Sequence, residues 1–157
     1  MDRDAYIILT KILEGQYQLY KSELEIINKK IGFVEKDMIN ELAAEIEKEK
    51  EIVQKIDTLE QNRIKVVEKL GYKTLKELAE NEKIPQIKES LLKLREALIN
   101  VLEEVKDKNE LLQDLVLTTN GIIEKTLGMI TGSKEVGYKK DKQKNKINDN
   151  NLLNTRI

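Results

Sequence analysis

Lys30-Ile31-Gly32-Phe33-Val34-Glu35-Lys36-Asp37-Met38-Ile39 decides the fold, because one apolar stripe ends in it and another begins just beyond. Upstream, Leu9, Leu13, Tyr20, Leu24, Ile27, Ile31 and Val34 fall at steps of three and four, with Gln16 in the one remaining place. Such a stripe faces a single partner surface. Gly32 weakens the helix near its end, and Glu35-Lys36-Asp37 interrupts the pattern. Asp37 is the expected N-cap of the next element, its carboxylate accepting from an orphan backbone N–H. Downstream, a seven-residue repeat runs through Leu42, Ile46, Glu49, Val53, Ile56, Glu60, Arg63, Val67 and Leu70. Two helices of about 32 residues, joined by a break of about three, fold back antiparallel, each roughly 48 Å long.

Beyond the hairpin, Gly71 suits a helix C-cap. Thr74-Leu75-Lys76-Glu77 forms a capping box that opens a short helix to about Glu82. Pro85 stands where a long third helix begins, its ring fixing φ at a position that needs no N–H. From Leu91 its stripe runs through Leu98, Leu102, Val105, Asn109, Leu112, Val116, Thr119, Ile123, Thr126 and Ile130, and Gly132-Ser133 ends it. The expected fold is all-α, an elongated antiparallel helical hairpin with the third long helix packed along it as a three-helix, coiled-coil-like bundle. Residues 1–132 form the helical domain. Residues 133–157 carry seven basic and three acidic residues and five Asn without periodicity, and read as a disordered basic tail. The tail's net charge of +4 leaves about −5 on the helical body.

Composition agrees and excludes a good deal. Leu (21), Ile (19), Lys (24) and Glu (21) supply more than half of the 157 residues, a profile of long amphipathic helices. With no His and no Cys there is no zinc finger, thiol nucleophile, imidazole base or disulfide framework. The Glu-x-x-His motif of di-iron helical bundles cannot be written either. No phosphate-binding loop or nucleophile–base pair appears, so an enzyme is not expected, and no cofactor or metal is called for. A net charge of −1 argues against a nucleic-acid binder. Lys139, Lys140, Lys142, Lys144 and Lys146 have only Tyr138 as a base-stacking aromatic, and read as a solvated tail. The start, Met1-Asp2-Arg3-Asp4, lacks the features of a signal peptide, and no apolar run approaches the ~20 residues of a membrane span. The expected compartment is the cytoplasm, without membrane insertion.

Two features bear on function. Gln16, Glu49, Glu60, Arg63 and Asn109 occupy stripe positions where an apolar knob is expected; they read as register devices, as a slender bundle offers little concave space for catalysis. Tyr17 and Tyr20, three apart, read as seam packing. The third helix changes character along its length. Between Gln86 and Glu110, 11 of 25 residues are charged, whereas Leu111–Ile130 holds only Asp114, Glu124 and Lys125. Ten of those 20 are apolar, which overfills one helical face and leaves some of it for a partner. Gly121 and Gly128 each cost the isolated helix about 1 kcal/mol, so the segment depends on something docked against it. The residues of that face are Leu111, Leu112, Leu115, Val116, Ile122, Ile123, Leu127 and Ile130. A self-paired face is the alternative, making the chain a structural coiled-coil adaptor or homodimeric spacer; monomer and homodimer are both open.

The order of features resembles the FlgN-type flagellar export chaperones over most of residues 5 to 132. The likeness rests on Ile12-Leu13-Glu14-Gly15-Gln16-Tyr17-Gln18-Leu19-Tyr20, similar to the family's Leu-x-x-x-Gln-x-x-x-Tyr opening helix. It continues in Glu47-Lys48-Glu49-Lys50-Glu51 and Leu59-Glu60-Gln61-Asn62-Arg63. Asn109-Glu110-Leu111-Leu112-Gln113-Asp114-Leu115 resembles the Asn-x-x-Leu-Leu segment of the last helix, followed by Leu127-Gly128-Met129-Ile130-Thr131-Gly132. Family members often add Tyr-Gly-Pro-x-Gly; here Tyr138 precedes Lys139-Lys140-Asp141, a departure at the candidate export-gate contact, Tyr138. The resemblance implies a cytosolic chaperone that binds the helical C-terminal segment of hook–filament junction (hook-associated) proteins. It would keep them unpolymerised and deliver them to the type III export gate, and its client face would be the C-terminal helix.

Overall fold

The computed structural model describes the backbone of residues 1–131 and the side chains of residues 1–119. All regular secondary structure in that range is helical: α1 (Arg3–Glu35), α2 (Ile39–Lys69), α3 (Leu75–Asn81) and α4 (Pro85–Thr131). The expected stop at Gly132 and the tail lie outside the described residues. α2 and α4 both lie along α1, and α3 packs on α4.

Local chemistry sets the helix ends. Gly71 takes a left-handed φ of 88°, and Tyr72 N–H reaches back to the Val67 carbonyl at 3.2 Å while Gly71 N–H donates to Glu68 at 2.9 Å. This closes α2 with a Schellman motif. Thr74 Oγ1 accepts from Glu77 N–H at 3.0 Å, and Glu77 Oε2 accepts in return from Lys73 N–H, one residue before the usual donor. α3 stops at Asn81, and α4 starts at Pro85 as expected. Between them Glu82 Oε1 accepts from Lys83 N–H and Ile84 N–H, holding the turn.

Asp37 is a correction. It does not cap α2, whose N-cap is Met38 without a side-chain bond. Instead Asp37 has φ 58° and ends α1: Met38 N–H donates to Phe33 O at 2.8 Å and Asp37 N–H to Val34 O at 3.2 Å. These are the paired bonds of a second Schellman motif, with aspartate in the left-handed place usually taken by glycine.

The core divides in two. At the end where the chain starts, Leu9, Leu13 and Tyr20 of α1 pack with Ile56 and Val67 of α2, Leu75 and Leu78 of α3, and Leu91, Leu98 and Val101 of α4. Each such side chain contributes about 1.5–3 kcal/mol by burial, so this base core dominates stability. Gly15 helps close it: a Cβ there would meet Leu59 Cδ1 at 3.0 Å. Toward the hairpin turn a smaller core joins Ile27 of α1 to Val105 and Leu112 of α4, flanked by Leu24, Ile31 and Val34. α2 adds nothing apolar to it.

There the second stripe departs from expectation. Ile46 and Val53 are exposed, and Glu45 and Ile52 turn inward instead. Near the base, Ile56 and Val67 of α2 join the larger apolar cluster, and Glu60 and Val67 are covered. Near the turn, it meets α1 through charged side chains: Lys30 Nζ pairs with Glu49 across the seam.

α4 runs parallel to α1. Tyr6 Oη donates to Ser90 Oγ, 84 positions along, at 3.0 Å, and Ile27 meets Val105 and Leu112 further up. That offset brings Glu35, the last residue of α1, level with Thr119. The remaining turns of α4, residues 120–131, therefore overrun the hairpin by about 18 Å at 1.5 Å per residue.

Candidate functional site

The site read from sequence begins where α4 nears the end of its support. Leu112 is 8% exposed and belongs to the upper core, turned toward α1 rather than outward. Leu115, three residues on, is half-buried. Leu111, Val116 and Leu117 are exposed, at 49%, 36% and 39%. Helical geometry places Leu111 and Val116 on opposite flanks of the seam that Leu112 fills, and Leu117 toward the far side of α4. Ile122, Ile123, Leu127 and Ile130 lie on the overrunning part of α4, where side chains fall outside the described residues. Tyr138 also lies outside them.

Two threonines make the stretch more apolar than its composition suggests. Thr118 Oγ1 donates to Asp114 O at 2.8 Å and Thr119 Oγ1 to Leu115 O at 2.9 Å. Hydroxyls bonded to the preceding turn of their own helix make little demand on a partner. Asp114, the one charged residue from Leu111 to Thr119, is exposed. What this surface can do is bind an apolar or amphipathic segment. Leu117 is one of the ten apolar residues of Leu111–Ile130 but not one of the eight assigned to the face from sequence; its exposure adds it.

Of the polar stripe positions, Gln16, Glu60 and Arg63 form one buried cluster between α1 and α2. Gln16 is 1% exposed and donates through Nε2 to Glu60 Oε2 at 2.8 Å. Arg63, also 1% exposed, donates through Nε to the same oxygen at 3.0 Å and pairs with Glu60 Oε1 through its terminal nitrogen. The three side chains tie α1 to α2 at one register. Asn109 is half-buried on α4. Tyr20 is buried in the base core, where its hydroxyl has no hydrogen-bond partner, and burial with the nearby Glu60 pushes its ionisation far up. Tyr17 packs beside it with Lys21 Nζ 5.6 Å from its ring centre.

Glu23 is a strongly perturbed carboxyl: burial, then the charge of Glu49, push it up to about 7, with Lys30 pulling the other way. It sits within the α1–α2 seam. The shallow groove between α1 and α4, lined by Glu14, Ser90 and Lys93, is open to solvent and lies elsewhere. Among the described residues no three acidic side chains are grouped to hold a metal ion. None of the described helices is long and apolar enough to cross a membrane.

Over residues 1–146 the chain matches the family model described as FlgN protein. No curated protein and no solved structure matches it.

Proposed function

The chain belongs to the FlgN family of flagellar export chaperones, and on that premise we propose that it carries hook–filament junction proteins to the export gate. The family binds flagellar export substrates and is not known for enzymes. In the proposed mechanism the client's C-terminal segment docks as an amphipathic helix on distal α4. Leu111, Leu115 and Val116 start the contact surface, and Ile122, Ile123, Leu127 and Ile130 continue it. Leu112 braces the surface from behind, against Ile27. Covering the client's apolar stripe keeps it from polymerising in the cytoplasm, and Tyr138 contacts the gate.

One observation carries this reading: α4 outlasts the helix it packs on. Its apolar register continues through residues 120–131 after α1 has ended at Glu35. A seam maintained beyond its intramolecular partner suits a second helix in that partner's place.

The test is retention from the source cell. The tagged full-length chain should hold hook–filament junction proteins through washing, and a variant ending at Thr119 should lose them. Equal retention by the shortened chain would move the client site off distal α4.

A further inference from the structure

Ile39, Ile46, Val53, Glu60 and Val67 form a row at seven-residue spacing along one edge of α2. Its lower members are covered, Glu60 at 8% and Val67 at 1% exposure. Its upper members are open: Ile39 at 68%, Ile46 at 37% and Val53 at 46%. The core at that level is built from α1 and α4 alone. α2 therefore presents an uncovered apolar strip, about 21 Å long, beside the hairpin turn.

Charge distribution bears on what covers it. Residues 21–57 and 103–119, the half nearer the turn, hold 9 basic against 15 acidic residues, net −6. Residues 1–20 and 58–102 hold 11 against 10, net +1. A second copy docked through the same strip would bring one acidic end against another. Residues 132–157 instead hold 7 basic against 3 acidic, net +4.

Position agrees with charge. α4 runs parallel to α1, so the tail leaves Thr131 at the acidic end. Ile46 lies about 30 Å back along the molecule, counting 1.5 Å per helical residue. The tail places five lysines from Lys139 to Lys146 first, then Ile147, Leu152 and Leu153. About 20 residues separate Thr131 from Leu152, a length of chain that reaches at most about 66 Å when extended, well beyond the roughly 30 Å to Ile46.

We propose that the chain's own C-terminal tail folds back onto α2. Its lysines lie in the field of the acidic end, and Ile147, Leu152 and Leu153 cover Ile39, Ile46 and Val53. The contact is intramolecular and does not depend on the client reading.

Because the sequence has no Cys, Asn150→Cys gives a single attachment point for a nitroxide spin label. In NMR spectra of the labelled full-length protein, the amides of residues 39–53 should lose intensity at low salt. They should recover in about 1 M NaCl, where screening shortens to about 3 Å. Ile46→Asp in the labelled protein should also restore them without changing the melting temperature, since Ile46 is exposed. Full intensity over residues 39–53 at low salt, or loss confined to α4, would overturn the proposal. A mixed sample, with spin label and isotope on different molecules, should show no loss. Loss there would seat a second copy on the strip, and overturn it equally.

Discussion

Glu23 is held half-buried between two charges of opposite sign, Glu49 and Lys30, with burial dominating and its carboxyl pushed up to about 7. In the unfolded chain such a group titrates near 4.3. Between about 4.3 and about 7 the folded protein keeps a proton that the unfolded chain has released, so stability falls as pH rises through that window and stays lower above it. Glu23→Gln removes the penalty. At about pH 8 the variant should be more stable by about 1 kcal/mol, allowing for solvent screening of a part-exposed group, and at about pH 4 the two should melt together. Thermal melts over this range decide it; a gain independent of pH would mean that Glu23 is charged at no cost. Glu60, also buried, accepts from Gln16 and Arg63, and the cluster fixes which turn of α1 meets which turn of α2.

At the scale of helices and turns, the two Schellman motifs make a matched pair with different residues in the left-handed place. Gly71→Ala forces a Cβ into φ 88° and should cost about 1 kcal/mol, whereas Asp37→Gly relieves a similar strain at φ 58° and should gain about 0.5 kcal/mol. Chemical denaturation of the two variants measures both; a neutral Gly71→Ala would mean that the turn relaxes to another conformation. Gly71, the Thr74 box and Pro85 were legible in the sequence because each acts through its own backbone neighbours. Asp37 was misread because a short acidic side chain suits both an N-cap and a left-handed C-terminal position. The second stripe failed for another reason. The heptad Leu42, Glu49, Ile56, Arg63 and Leu70 is common to both readings of α2. Whether Ile46 or Glu45 joins it depends on how α2 is rotated against its neighbours, and nothing within α2 records that.

On the scale of the whole molecule, a well-packed base supports an end that is less well covered. Leu98, 1% exposed in the base core, and Val116, 36% exposed above it, lie on the same helix and separate folding from binding. The register of α4 and its apolar surplus were readable from sequence, because both are patterns within one helix. That Leu112 turns inward while Leu111 and Val116 remain open followed only from the parallel docking of α4 on α1. Burying an unpaired carboxylate against a client helix costs several kcal/mol, about a hundredfold or more in dissociation constant. Calorimetric titration of a junction-protein C-terminal peptide into Val116→Asp, with Leu98→Asp melted alongside, tests the client site most directly. Val116→Asp should melt with the parent and lose the peptide, while Leu98→Asp should melt early. Parent-like binding by a folded Val116→Asp would contradict a client site on distal α4.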